Sequence, residues 1–317
     1  MTHAARTPVP TTWPELLEAQ DQVISRTQAR LGGLSEDQWQ WRLTSGRWQS
    51  VLKGVAVAHS GGVTDSQRAW AALLFAGPTA HLSADAALIQ HGMRLPAPSV
   101  LHVVTHPSRE VAGQVFVRVD SSAPRFRLEA HRFGQLADWA HPAKEPPVLH
   151  VAPAVLHAAA WATSDREAEW RIAAAVQQRR TRVPDLRMAL AQMLRLRRRA
   201  LVGVVLDDVE LGAHAASELR FLRFLRVHGL PKPDRLQRPV RRGTLRYLDA
   251  WWERQRVTVE VDGTHHQQVG QWDADTLRGN DVVIAEKHNR VLLLRVTTGN
   301  LRHEGPRVAD QLRSALL

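Results

Sequence analysis

The stretch that most constrains this chain, LRYLDAWWERQRVTVEVDGTHH, runs from residue 245 to 266. In its second half, valines alternate with Thr258, Glu260 and Asp262, which is the period-two pattern of a half-buried strand. A polar turn joins this strand to a preceding strand that carries Asp249. Because side chains two apart on a strand share a face, pairing of the two strands as a hairpin places Asp249 across from Glu260 and Asp262.

Carboxylates this close together repel one another unless a cation lies between them. Carboxylate oxygens are hard ligands that suit Mg²⁺ or Mn²⁺ better than zinc. The hairpin therefore predicts a metal site. The alternative is a set of structural ion pairs with arginines of the same hairpin, namely Arg246, Arg254 and Arg256.

The charge balance indicates a nucleic-acid partner. The 317 residues carry 42 Lys and Arg against 31 Asp and Glu, a net charge of +11, and the sequence pI is near 11.2. A pI this high is typical of nucleic-acid-binding proteins, and arginine suits phosphate better than lysine does. The alternative is a basic surface that binds nothing.

Length and composition exclude several classes of protein. The chain is long enough for two domains, each with its own core. It contains no cysteine, which excludes disulfides, thiolate metal sites and cysteine nucleophiles. The first dozen residues lack the apolar core of a signal peptide, and no apolar run approaches the roughly 18 residues of a membrane span. We therefore expect a cytoplasmic protein without a membrane partner.

Residues 1–62 carry the parts of a winged helix-turn-helix. Three short helices begin near Trp13, Ser25 and Ser35, and a hairpin follows that turns at Lys53-Gly54. In such a domain the third helix enters the major groove and the hairpin follows the DNA backbone. The predicted DNA contacts are polar or cationic side chains of these elements: Gln38, Gln40, Arg42, Arg47 and Lys53. The alternative is a helical subdomain whose exposed side chains bind nothing; the tryptophans of the third helix are expected in the core.

Residues 63–209 are expected to form a mixed α/β middle region that ends in helices. The proline-punctuated segment 123–147 is expected to be irregular. A helix predicted over 185–199 ends in the cations of RLRRRA, interpreted as a solvated helix end, with a phosphate contact as the alternative. The scattered histidines show no ligand spacing and are interpreted as structural.

Residues 210–317 are predicted to form a C-terminal domain in the order helix, three strands, helix, strand, helix. The first helix opens near Glu218, and the fourth strand, VLLLRVT at 291–297, is an apolar run expected to be buried on both faces. The fold class is therefore α/β, in an α+β multi-domain chain.

This order, with Asp249 on the second strand and Glu-x-Asp at Glu260 and Asp262 on the third, resembles the PD-(D/E)XK, restriction-endonuclease-like fold, αβββαβα. More narrowly, residues 210–317 are similar to an uncharacterised bacterial family related to very-short-patch-repair (Vsr) endonucleases. That family's pattern continues with a histidine, here His266. On the next helix it has the motif Asp-x-x-Arg, which here is Asp275 to Arg278.

The resemblance implies an Mg²⁺- or Mn²⁺-dependent endonuclease that hydrolyses phosphodiester bonds in DNA. The implied metal ligands are Asp249, Glu260, Asp262 and the carbonyl of Val261. Glu218 and His266 would orient the attacking water or protonate the leaving oxygen, and Arg278 would steady a phosphate.

The chain departs from the standard nuclease motif at one position. Asp262 stands where that motif has a lysine, as it does in the narrower family. The natural substitute is His266, because an unperturbed histidine pKa of about 6.5 permits acid or base chemistry at neutral pH.

Residues 13–92 are similar to the DNA-binding region of AbiEi-type antitoxins. This similarity implies an alternative function: the protein would be a non-catalytic DNA-binding regulator whose nuclease-like domain is degenerate. The partner implied by both functions is double-stranded DNA. The sequence leaves open a homodimer and a toxin–antitoxin, DNA-repair or defence partner.

Overall fold

The computed structural model describes residues 11–106, 115–117, 126–134, 136–211, 216–242, 244–262 and 290–317. The chain is mixed α/β and divides into two compact units, Met1–Trp161 and Ala162–Leu317. Among the described residues, no helix has the length and apolar character that crossing a membrane requires.

The described residues of the first unit form two small sheets. Its helices are α1 (Trp13–Ala19), α2 (Arg26–Leu31), α3 (Glu36–Thr44), α4 (Asp65–Ala76), α5 (Ala84–Gln90), α6 (Leu136–Trp139) and α7 (Val151–Trp161). Its strands are β1 (Val23–Ser25), β2 (Gln49–Leu52), β3 (Val55–Val57), β4 (His81–Ser83), β5 (Val100–Thr105), β6 (Val115–Val117) and β7 (Phe126–Arg132). The first sheet is antiparallel in the order β1-β3-β2; the second has the order β4-β5-β7-β6, with β5 parallel to β7.

Local sequence signals set the ends of the early elements. At α2, the Gln28 N–H donates to Ser25 Oγ at 3.2 Å and the Ser25 N–H donates to Gln28 Oε1 at 3.1 Å. Ser35 and Gln38 form the same reciprocal cap at α3. The predicted hairpin is β2 and β3, and it turns at Lys53-Gly54, where Gly54 has a φ of +73° that glycine adopts readily.

An aromatic core holds α1, α3 and the hairpin together. Trp48 is 6% exposed, and its ring lies edge-on to those of Trp39, at 5.6 Å between centroids, and Trp13, at 5.9 Å. The expectation that the tryptophans of α3 are all core is wrong for Trp41, which is 50% exposed. Trp39 and Trp41 are two residues apart, and such positions on a helix do not share a face.

Strand β1 was not predicted from the sequence. It pairs antiparallel with β3, with Ile24 opposite Ala56, and both side chains are fully buried. The Arg26 N–H also donates to the Gly54 carbonyl at 2.8 Å, so the start of α2 is bonded to the hairpin turn.

The expectation that 123–147 is irregular is wrong. The segment contains β7 and α6, because its prolines flank the strand rather than interrupt it. Strand β7 alternates like other half-buried strands, with Leu128 almost fully buried and Glu129 partly exposed on the other face.

In the second unit, the residues that the structure describes form helices and a four-stranded sheet. Its helices are α8 (Asp165–Gln177), α9 (Val183–Gln192), α10 (Arg199–Glu210), α11 (Ala216–Val227), α12 (Thr298–His303) and α13 (Gly305–Leu316). Its strands are β8 (Arg235–Arg242), β9 (Thr244–Trp252), β10 (Val257–Asp262) and β11 (Leu292–Thr297). The sheet order is β11-β10-β9-β8, with β10 parallel to β11 and the other neighbours antiparallel. The predicted helix at 267–288 lies outside the described residues.

The cationic run does not end a helix as predicted. Helix α9 stops at Gln192, and α10 begins only at Arg199. The Arg199 guanidinium donates to the carbonyls of Leu190 and Met193, so it caps α9 from the following helix. Favourable interaction of a cation with a helix C-terminus is thus preserved, although the helix is shorter.

The fourth strand of the sheet is less buried than predicted. Leu292 is 48% exposed, so the expectation of burial on both faces is wrong there. Within the described residues β11 lies at the edge of the sheet and pairs on one side with β10.

Candidate functional site

The candidate site lies where the pairing of β9 with β10 ends. The last paired residues are Ala250 and Val259, and Asp249 and Glu260 come directly after them. Beyond this last pair, the Asp249 side chain replaces the backbone as the hydrogen-bond partner of β10: its Oδ2 accepts a hydrogen bond from the backbone N–H of Val261 at 2.8 Å. This bond fixes the Asp249 side chain against β10.

Glu218 reaches the same place from α11. Its side chain is buried, and its Oε1 accepts a hydrogen bond from Nε2 of Gln237. The same nitrogen donates to Oδ1 of Asp249 at 3.3 Å, so Gln237 bridges the two acids. Gln237 lies between the β8–β9 pairs Leu236–Ala250 and Arg238–Leu248, and its φ is +51°.

Glu260 is held by the neighbouring parallel strand. It is the register partner of Arg295 on β11, and the Arg295 guanidinium lies 3.0 Å from its Oε2. The Glu260 side chain is only 15% exposed. The ion pair of Glu260 in the structure thus involves an arginine of β11, whereas the arginines expected from the sequence lie in the hairpin.

Asp249 is the electrostatic centre of this group. Burial, together with the nearby Glu218 and Glu260 carboxylates, raises the pKa of its carboxyl to about 6, against the opposing hydrogen bonds from the Val261 N–H and Gln237. A carboxyl that is buried beside two other acids stabilises any cation that binds next to it.

The structure therefore brings together three of the predicted site residues, Glu218, Asp249 and Glu260. The backbone N–H of Val261, whose carbonyl is the predicted ligand, donates a hydrogen bond to Asp249. Asp262 is the last residue of β10, and the structure describes its backbone but not its side chain. His266 and Arg278 lie outside the described residues.

The predicted DNA contacts of the first unit lie on α3, in the turn of the hairpin and, for Arg47, between α3 and β2. Gln38, Gln40, Arg47 and Lys53 are exposed. Arg42 is half-buried; its guanidinium lies 4.9 Å from the Trp13 ring centroid and 5.4 Å from that of Trp48, so it packs on the aromatic core.

Sequence reasoning missed two residues of the carboxylate site and one near the DNA contacts. Gln237 gave no signal, because a single glutamine in a cationic strand has no pattern of its own. Arg295 lies within the apolar run of β11, where a charged residue is itself a signal. Trp41 is exposed and has the Arg47 guanidinium 4.6 Å from its ring centroid.

Comparison with known proteins adds no family. No protein-family model matches this chain, and no curated protein matches it.

Proposed function

We propose that this chain is a metal-dependent DNA endonuclease whose centre is formed by Glu218, Asp249 and Glu260. The observation that carries the proposal is the half-buried Asp249 carboxyl, which lies beside two other acids at the end of a strand ladder. Keeping such a group costs free energy unless something binds to it. The described elements follow one another as α11, β8, β9, β10, β11, α12 and α13, and this order supports the nuclease-like fold to which the sequence is similar.

The residues present fit Mg²⁺ or Mn²⁺. All three side chains offer carboxylate oxygens, which are the ligands these ions prefer. The ion would be held by Asp249 and Glu260, with Glu218 beside them and Asp262 and the Val261 carbonyl as the further ligands that the sequence implies. When bound, it would polarise the scissile phosphate and lower the pKa of the attacking water.

The neighbouring side chains would position these acids. Gln237 holds Glu218 and Asp249 together, and the Val261 N–H fixes the second oxygen of Asp249. Arg295 orients Glu260 and adds positive charge beside the place where a phosphodiester would lie. We assign the proton transfer that a lysine would assist to His266, on the sequence pattern alone.

The first unit would deliver the DNA. Its elements follow one another as α1, β1, α2, α3, β2 and β3, and we interpret this order as a winged helix-turn-helix. The net charge of +11 favours association with the phosphate backbone.

One of the predicted DNA contacts, Arg47, can be tested through the salt dependence of DNA binding. Replacing Arg47 with Ala is expected to weaken duplex binding for all sequences and to lower the slope of log K against log salt by about 1, because one phosphate contact is lost. Fluorescence anisotropy at several salt concentrations measures this slope. Arg182→Ala is the matched control, since it removes an exposed arginine paired with Asp185 in the second unit. Equal slopes in the two variants would remove Arg47 from the interface.

One observation favours a second function, a DNA-binding regulator without catalysis. The Arg295–Glu260 ion pair and the Gln237 bridge satisfy much of the carboxylate group without a metal. In that case the acids would be structural, and the first unit alone would act.

Metal titration distinguishes the two functions. Calorimetry with Mg²⁺ and Mn²⁺ is expected to show binding by the wild type and by Asp310→Asn, an exposed acid of α13 that serves as control. Glu260→Gln is expected to bind at least about 10- to 100-fold more weakly, since loss of a ligand costs no less than loss of a supporting residue. Nicking of supercoiled plasmid is measured on the same samples. A wild type that binds duplex DNA but neither binds metal nor nicks plasmid would make the regulator the correct function.

A further inference from the structure

A second group of side chains of the types that bind metal ions lies in the first unit, on strands β5 and β7. These strands pair in parallel, and His102 is the register partner of Glu129. His131 follows Glu129 by two residues and therefore shares its face of the sheet. Three residues from two separate segments thus point to one place.

Three ligand atoms in this group are close enough to share one ion. His102 Nδ1 lies 3.1 Å from His131 Nε2 and 3.6 Å from Glu129 Oε2, and His131 Nε2 lies 3.9 Å from the same oxygen. Ligand atoms around a tetrahedral zinc ion, with bonds near 2.0–2.1 Å, are about 3.3 Å apart. The observed separations bracket that value, so small movements of the side chains would complete the geometry.

Neighbouring residues hold the ligands in place. The His131 ring stacks on the Trp161 ring, with 3.7 Å between ring centroids and 8° between ring planes. The centroid of the His102 ring lies 4.8 Å from that of the same Trp161 ring. Arg127 binds the other carboxylate oxygen, Oε1 of Glu129, at 2.9 Å. This leaves Oε2 facing the two imidazoles, and supporting contacts of this kind orient ligands in known metal sites.

We propose that His102 Nδ1, His131 Nε2 and Glu129 Oε2 form a binding site for Zn²⁺. This site is distinct from the carboxylate centre of the second unit. Two imidazoles and one carboxylate are ligands of borderline character, which favour Zn²⁺ over Mg²⁺. Three protein ligands leave a fourth position for water or another small ligand. The ion would link β5 to β7.

Zinc titration tests this site without reference to nuclease activity. After treatment with a chelator, the full-length protein is titrated with Zn²⁺ in competition with a chromophoric chelator. One equivalent is expected to bind the wild type. His131→Gln and Glu129→Gln are each expected to bind at least about tenfold more weakly, and circular dichroism checks that both variants are folded. Co²⁺ bound in place of Zn²⁺ is expected to give the visible absorption of a tetrahedral site, lost in the same variants.

Two control variants make the result specific. His150→Gln removes an exposed histidine that packs with His141 elsewhere in the unit, and it is expected to keep the zinc equivalent. Asp249→Asn is expected to keep it as well, which separates this site from the proposed nuclease centre. The proposal is overturned if the wild type binds no zinc, or if His131→Gln and Glu129→Gln bind it as tightly as His150→Gln does.

Discussion

Asp249→Asn is expected to lose plasmid nicking and at the same time to make the metal-free fold more stable at neutral pH. Asparagine is nearly isosteric and keeps an oxygen that can accept the Val261 N–H, so the strand contact survives. The negative charge is lost, and with it a metal ligand. Nicking is expected to fall by about 100-fold or more, the size of effect seen when one preorganised electrostatic group is removed.

The gain in stability follows from the pKa of Asp249. The folded-state pKa is about 6, against 3.8 for an unperturbed carboxyl, mainly because the group is buried. The folded chain therefore binds more protons than the unfolded chain between those pH values, and this residue's contribution to the free energy of unfolding falls as the pH rises through that window. Above it, the ionised carboxylate costs the wild type on the order of 3 kcal/mol that Asn avoids.

Urea denaturation at several pH values, in chelator, measures both parts of this effect. The variant is expected to exceed the wild type in stability at pH 7.5 and to approach it near pH 4. Asp310→Asn, on the exposed face of α13, is expected to show neither the gain in stability nor the loss of nicking. An Asp249→Asn protein that nicks plasmid at the wild-type rate would show that the catalytic centre lies elsewhere.

Trp48→Ala is expected to cost about 3–5 kcal/mol of stability in the first unit, which is the usual range for truncating a buried tryptophan. Trp48 lies against both Trp13 and Trp39, so its removal leaves a cavity lined by two large rings that cannot collapse to fill it. The loss is expected to appear as a lower urea midpoint for the unfolding of this unit, followed by circular dichroism.

The same unit supplies a matched control. Trp41→Ala removes an equally large side chain from an exposed position, and its effect on stability is expected to stay within about 0.5 kcal/mol. If Trp48→Ala shifts the midpoint no further than Trp41→Ala does, the aromatic cluster is not the core of this unit.

Local signals in the sequence predict much of the fold. The caps at Ser25 and Ser35 mark the helix starts correctly, and the turn at Lys53-Gly54 places the hairpin. Period-two alternation gives β9 and β10 together with the approach of Asp249 to Glu260. Each of these signals lies within a few residues of the structure that it predicts, which is why sequence reading succeeds there.

Features that depend on distant pairing escape the sequence. Strand β1 has three residues and exists because β3 pairs with it. The bridge made by Gln237 depends on a φ of +51° that no local pattern indicates. His102 and His131 are 29 residues apart and meet only because β5 and β7 run in parallel, so counting the spacing between histidines could not find them.

The hydrogen bonds within α3 limit what that helix could recognise on DNA. Gln38 Oε1 accepts the Ser35 N–H, Gln40 Nε2 donates to Glu36, and Arg42 donates back to the Gln38 carbonyl. A glutamine needs both its oxygen and its nitrogen to identify an adenine, so Gln38 or Gln40 would first have to break its own side-chain hydrogen bond to read a base. The first unit would then act as a tether that raises the effective concentration of any duplex near the cleavage centre. On the proposed function, selection of the bond to be cut would belong to the second unit.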